Sequence, residues 1–145
     1  MRKTKVLIIG AGPTGLMAAC QLQRQGIDFI IVDKKDGPTQ ESRALVIHAR
    51  SLEIYDQMGI SAEAVKQGQI VQTVQFIVKG RKIQEMPLGI VGEGLSAFPF
   101  LLVLEQSRNE ELHYKYLQEH NGEVLWNTEL ILLQQQNHSI LGTLR

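Results

Sequence analysis

The first thirty-three residues place an amphipathic segment between two short apolar runs. Lys5–Ile9 is rich in β-branched residues and ends at a glycine, which favours a strand buried on both faces of a parallel sheet. From Pro13 to Gly26 the apolar residues recur at helical spacing, with proline and glycine at the positions that start and end helices. Ile27–Val32 is a second candidate buried strand. The pattern predicts a βαβ core over residues 4–33.

The middle of the chain changes from helical to strand-like periodicity. A short helix is predicted from Ala49 to Met58, and a further helical turn from Ala62 to Gln67. Two β-prone segments, Ile70 to Val78 and Ile83 to Met86, flank Lys79-Gly80-Arg81, and a third runs from Ala97 to Leu104. This spacing predicts an antiparallel β excursion over about residues 70–104.

The last third predicts a helix followed by strands, together covering residues 107–133. Ser107 and Glu110 have capping-box spacing, which predicts a helix from Ser107 to about His120. Negative charge is favourable at a helix start, so Glu110 calls for no catalytic role. One or two strands are expected between Val124 and Leu133.

These elements predict an α/β fold, a Rossmann-like βαβ opening onto a mostly parallel sheet. We expect a single partial domain over residues 1–145, incomplete at its C-terminal side.

The composition argues against nucleic-acid binding and membrane insertion but does not identify a function. The chain has 145 residues, 43% of them hydrophobic and 21% charged, which is typical of a globular domain. Fifteen basic residues balance fifteen acidic ones and no polybasic run occurs, so nucleic acid is not an expected partner. The apolar runs are too short for a membrane span.

The cysteine and histidine content argues against metal or disulfide chemistry. The single cysteine, Cys20, excludes an intramolecular disulfide and fits the reducing cytoplasm, where we expect the chain to reside. Its place in the first predicted helix favours a small core residue. The four histidines lack metal-ligand spacing and are expected to be solvent-exposed or locally hydrogen-bonded, so no metal site is predicted.

The most informative motif follows the first strand, as Gly10-Ala11-Gly12-Pro13-Thr14-Gly15. In a dinucleotide-binding turn Gly10 permits the tight turn, Gly12 lets the backbone approach a pyrophosphate, and Gly15 lets the helix pack on the strand. The phosphates would lie at the helix N-terminus, near Pro13 and Thr14. The alternative is a tight strand-to-helix turn with no ligand.

An acidic residue stands where such a site needs one. Asp33 lies eighteen residues beyond Gly15, after the second strand, where a carboxylate would accept from ribose hydroxyls. Its charge disfavours an added 2′-phosphate, so the cofactor choice lies between FAD and NAD. Lys34 would soften that repulsion, whereas Lys35 is equally consistent with a solvated charge.

Three segments resemble single-component FAD-dependent aromatic hydroxylases of the phenol hydroxylase and hydroxybenzoate hydroxylase type. They are the opening segment from Val6 to Leu16 with its glycine motif, the stretch from Arg43 to Ile54, and Phe98-Pro99-Phe100 with Glu105-Gln106. The resemblance covers nearly the whole chain.

The resemblance extends the candidate site. It implies that Arg43 donates to ribityl or pyrophosphate oxygens of FAD and that Ala44 contributes a backbone contact. It also implies that Gln106 hydrogen-bonds the central part of the cofactor and that the backbone of Leu130 meets the adenine. Asp33 replaces the family's commoner glutamate, which shortens the reach and keeps the charge.

The resemblance also implies a function. Members bind FAD and use NAD(P)H to insert one oxygen atom from O₂ into an aromatic substrate. They are several times longer, with downstream motifs that have no counterpart in these 145 residues, so the chain alone is expected to be an inactive fragment. It offers no residue as a catalytic acid or base.

Two other functions stay open. The chain could be a truncated, non-catalytic dinucleotide-binding fragment or an NAD-dependent oxidoreductase module, although Arg43 and Gln106 have no obvious role in the latter. Exposed apolar surface would favour a homo-oligomer.

Overall fold

The structure, a computed structural model, describes residues 2–40, 44–88 and 94–145. The residues group into two compact units. The first unit comprises residues 1–41 and 110–145, and the second comprises residues 42–109. The single domain expected from the sequence stays a prediction.

The first unit is built on the predicted βαβ core. Strand β1 (Val6–Ile9) leads into helix α1 (Pro13–Arg24), which is followed by strand β2 (Phe29–Val32). β1 and β2 pair in parallel, and β8 (Val124–Leu125) pairs in parallel with β2 on its other side. The three-stranded order β1-β2-β8 confirms the α/β, Rossmann-like fold class.

Helix α4 (Gln106–Glu119) joins the two units, because its first four residues belong to the second and the rest to the first. It already includes Gln106, so Ser107 lies inside its first turn and the predicted Ser107 cap is wrong. The polypeptide leaves the helix through Asn121, whose φ of 62° is left-handed, a conformation in which helices commonly end.

An antiparallel hairpin completes the first unit. Strand β9 (Leu130–Gln135) pairs with β10 (Ile140–Leu144). A Cβ at Gly142 would lie 3.1 Å from Leu7 and 3.2 Å from Leu130, so the hairpin packs closely against β1.

The second unit is antiparallel. Its sheet has the order β3-β7-β4, formed by Ala44–Ile47, Leu101–Glu105 and Gln69–Val71. Helices α2 (Ala49–Gln57) and α3 (Ser61–Gln67) confirm the two helical predictions. A separate ribbon, β5–β6, is formed by strands Thr73–Val78 and Arg81–Pro87. The antiparallel excursion is therefore confirmed.

Three details of that excursion differ from the expectation. The run predicted from Ile70 to Val78 divides between β4 and β5, which belong to different sheets. The strand expected from Ala97 starts only at Leu101, which pairs with Val71 of β4, and its pairing with β3 begins one residue later, at Leu102 opposite Ile47. β3 itself was not predicted, because a four-residue strand is stabilised by a partner far away in sequence.

Each unit has its own apolar core. Buried side chains of the first unit include Leu16, Cys20, Ile31 and Leu117. Those of the second unit include Leu52, Leu102 and Leu104.

Candidate dinucleotide-binding site

The turn between β1 and α1 requires a glycine at its first position. Gly10 has a φ of +101°, a conformation that side chains disfavour strongly. Its backbone N–H donates to the carbonyl oxygen of Val32 at 2.8 Å. The turn is thereby fixed against the carboxyl end of β2, the edge at which parallel sheets bind ligands.

Gly15 is required by packing. A Cβ added there would collide with the carbonyl oxygen of Gly10 and lie 3.4 Å from the Ile8 side chain. The position therefore lets α1 lie close against β1, which is the role that the motif predicts.

Gly12 is different, because nothing in the described part of the chain demands a glycine there. Its φ of −82° and ψ of −173° are accessible to any residue, and an added Cβ would meet no atom of the described structure within 4 Å. It is the N-cap of α1, where no side-chain hydrogen bond caps the helix and the first turn carries no acidic residue. Thr14 lies exposed in that turn. The backbone N–H groups and the helix dipole here favour an anion.

Asp33 has a structural role that the sequence did not reveal. Its side chain is nearly buried, at 9% exposure. Oδ2 accepts from the backbone N–H of Ala11 at 2.6 Å, and Oδ1 accepts from that of Lys35 at 2.9 Å. Because each carboxylate oxygen can accept more than one hydrogen bond, these contacts leave a ribose interaction chemically feasible.

The two lysines after Asp33 behave differently. Lys34 is exposed. Lys35 is partly exposed, but its charge is paired: Nζ donates to Thr39 Oγ1 at 3.0 Å and lies 3.6 Å from Oε2 of Glu110. The Glu110 side chain is fully buried and accepts from the N–H of Thr39 at 2.8 Å, so the capping interaction proposed for it is replaced by contacts to this loop.

The sequence did not reveal the contact of Glu110 with Thr39 or the hydrogen bond from Ala11 to Asp33, and the reason is the same for both. Both act on residues far away along the chain, 71 and 22 positions respectively. The sequence carries no clear signal for Glu110, because residues 110, 113 and 117 share a helical face on which only Leu117 is apolar.

The predicted site residues fall into three groups. The glycine turn, Asp33 and Lys34 lie together in the first unit, where Leu130 begins strand β9 opposite Leu144. Ala44 and Gln106 belong to the second unit, as the first residues of β3 and α4. Arg43 lies outside the described residues.

Among the described residues, the other reactive side chains do not form a second site. Cys20 is a buried core residue as predicted, and burial raises the pKa of its thiol to about 12. His113 is also buried, at 1% exposure, so of the two expectations for the histidines solvent exposure does not apply to it. Within residues 2–40, 44–88 and 94–145, no cluster of histidine, cysteine and acidic side chains could hold a metal ion. In the same ranges no helix is long and apolar enough to cross a bilayer.

A cleft of about 470 Å³ lies at the opposite end of the parallel sheet from the glycine turn. Residues before β2 and after α4 line it, including Asp28 and Asn121. It is separate from the candidate site.

Comparison with known proteins agrees with this geometry. The FAD binding domain family matches residues 3–145, and the chain belongs to that family. A 6-methylpretetramide 4-monooxygenase from Streptomyces rimosus is 36% identical over 126 residues, which are 87% of this chain and 22% of that protein. Pentachlorophenol 4-monooxygenase from Sphingobium chlorophenolicum is 30% identical, over 97% of this chain and 26% of that protein.

A solved structure gives the same result. OxyS, an anhydrotetracycline hydroxylase from Streptomyces rimosus, matches with a TM-score of 0.83 at 26% identity, over 99% of this chain and 28% of that one. The chain thus spans about a quarter of the length of these proteins.

Proposed function

We propose that this chain forms the FAD-binding part of a flavin-dependent monooxygenase. The observation that carries the proposal is Gly12, a glycine that neither backbone conformation nor packing in the described residues requires. Its open side adjoins the uncapped N-terminus of α1. A glycine is explained there if a pyrophosphate group approaches the backbone closely.

The chain's own residues would bind and orient the cofactor. The backbone N–H groups of Thr14 and Gly15, in the first turn of α1, would donate to the pyrophosphate. Asp33 would accept from the ribose at the adenosine end, with Lys34 beside it. Family resemblance adds Arg43, Ala44, Gln106 and Leu130 to this set.

The chemistry would belong to the cofactor: reduced FAD reacts with dioxygen and delivers one oxygen atom to the substrate. We propose NADH or NADPH as the electron donor and a small aromatic molecule as the substrate of the whole protein, in the cytoplasm. No residue of this chain is assigned a catalytic role.

Flavin retention tests the proposal. The purified chain is incubated with FAD, desalted and examined by visible absorption, in parallel with Gly12→Ala. We expect flavin bands in the parent chain and their loss in the variant, because the new methyl group would occupy the face that the pyrophosphate approaches. Circular dichroism and the urea midpoint should change little in Gly12→Ala, since the Cβ meets no atom of the described residues within 4 Å.

Three outcomes of the flavin-retention experiment would contradict the proposed function. A folded parent chain that retains no flavin would mean that these residues do not form an FAD site by themselves. Equal retention by Gly12→Ala would remove the observation on which the proposal depends. Tighter retention of NAD than of FAD would favour the oxidoreductase module instead.

A further inference from the structure

A buried carboxylate supports the loop that carries Asp33. Glu110 is fully buried within the first turns of α4, at 0% exposure, whereas the side chain of its partner Lys35 is 34% exposed. Burial of an ionised carboxylate is unfavourable unless hydrogen bonds and an opposite charge compensate. Here the backbone N–H of Thr39 and the ammonium group of Lys35 provide both.

Lys35 connects this carboxylate to Asp33. Its side chain reaches Glu110 and Thr39, while its backbone N–H donates to Asp33 Oδ1 at 2.9 Å. Its carbonyl oxygen in turn accepts from the N–H of Asn127 at 2.8 Å. Asp33 is therefore oriented by a residue that Glu110 holds in place.

Proximity to the helix start does not by itself explain Glu110. Glu111 is its direct neighbour in the first turns of α4, yet its side chain is exposed. The helix dipole favours negative charge at both positions. The contacts to the loop distinguish Glu110 from Glu111.

We propose that Glu110 is a positioning residue for the adenosine end of the cofactor site. Through Lys35 it fixes the orientation in which Asp33 accepts from Ala11 and meets the ribose. The effect on FAD rests on the proposed function, whereas the effect on Asp33 is a property of the chain alone. Charge on Glu110 is required, because a glutamine could still accept from Thr39 but would not attract the ammonium group.

The test compares Glu110→Gln with Glu111→Gln as its matched control. Amide hydrogen exchange is followed by NMR at Ala11 and Lys35, whose N–H groups both donate to Asp33, and at Ile31 in the core of β2. We expect Glu110→Gln to accelerate exchange at Ala11 and Lys35 by about tenfold while Ile31 is unchanged. Glu111→Gln should leave all three amides unchanged.

FAD affinity is measured on the same proteins by flavin fluorescence titration. We expect Glu110→Gln to weaken FAD by about tenfold and Glu111→Gln to leave it unchanged. If Glu110→Gln does not fold, Lys35→Gln serves in its place, because that side chain is partly exposed and its replacement breaks the same connection.

Two results would overturn the inference. Unchanged exchange at Ala11 and Lys35 would show that Glu110 does not orient Asp33, whatever happens to FAD. Acceleration at Ile31 equal to that at Ala11 would show a role in overall stability only. If the parent chain binds no FAD, the proposed function fails, and the exchange data still decide the role of Glu110.

Discussion

The backbone N–H of Ala11 donates to Oδ2 of Asp33 over 2.6 Å. The end of β2 is thereby bonded to the turn that follows β1. Asp33, which is expected to hydrogen-bond the ribose, therefore also stabilises the glycine turn. If substitution of Asp33 abolishes cofactor binding, the cause could be loss of the ribose contact or distortion of the glycine turn.

Asp33→Ala should lower the stability of the chain in the absence of any cofactor. The substitution leaves the N–H groups of Ala11 and Lys35 without their carboxylate acceptor, a loss of about 1–3 kcal/mol in the free energy of unfolding. Urea denaturation measures it. Asp28→Ala, an exposed carboxyl before β2, is the control and should change little. Identical midpoints for both variants would contradict the structural role of Asp33.

Gly15→Ala should destabilise the chain where Gly12→Ala does not. Alanine is normally favourable inside a helix, but its Cβ would collide with the Gly10 carbonyl and force α1 away from β1. We expect a loss of about 1–3 kcal/mol in unfolding free energy, typical of an overfilled contact. Thermal or urea unfolding of the two variants tests it. Equal stability of the two variants would show that the contact is absent.

The thiol of Cys20 should be inert in the folded chain. Burial disfavours the thiolate and raises the pKa to about 12, so almost no reactive thiolate exists at neutral pH. A disulfide reagent should titrate one thiol in denaturant and none under native conditions within the same time. Rapid native labelling would mean that α1 opens easily or that Cys20 is exposed.

Glu53 should make the second unit sensitive to acid. The pKa of its carboxyl is lowered by the hydrogen bond from Arg50, then by that from Ser96. Because the pKa is lower in the folded than in the unfolded chain, the contribution is complete above the ordinary value of 4.5 and is lost as the pH falls below it.

The comparison is between the parent chain and Glu53→Gln, with Glu119→Gln as an exposed control. The parent should lose more stability than Glu53→Gln between neutral and acidic pH, and the difference should be small because the Glu53 side chain is partly exposed, at 32%, and solvent screens the interaction. Parallel pH profiles for the parent and Glu53→Gln would contradict the prediction.

The ribbon β5–β6 should promote self-association. It exposes several large apolar side chains, among them Phe76, Ile77 and Ile83 at 44%, 62% and 63% exposure. Such a surface favours contact with another apolar surface. Sedimentation velocity should show a rising average mass with concentration, reduced in an Ile77→Lys, Ile83→Lys double variant. A monomer at all concentrations would overturn the expectation of a homo-oligomer.

Sequence reasoning succeeded where the signal is local. The βαβ core is encoded within thirty-three residues by two apolar runs, one amphipathic segment and glycines at fixed positions. The positive φ of Gly10 and the close contact at Gly15 are geometric requirements of that turn, so the motif predicted both.

It failed where the partner is distant. Strand β3 is four residues long and pairs with β7 more than fifty positions later, so no local pattern marks it. The same holds for Glu110, whose capping-box spacing gave a sufficient local explanation while its actual contacts are with Lys35 and Thr39. Only the tertiary structure shows whether Glu110 caps its own helix or contacts the loop.

Two of the three glycines of the turn motif, Gly12 and Gly15, would respond differently to selection. A saturation library scored by cellular abundance should reject substitutions at Gly15, because the fold cannot accommodate a side chain, and should accept small ones at Gly12. The same library scored by flavin retention should reject both. Positions that tolerate a side chain in the abundance score but not in the flavin score would be those where a glycine is needed by the ligand and not by the fold.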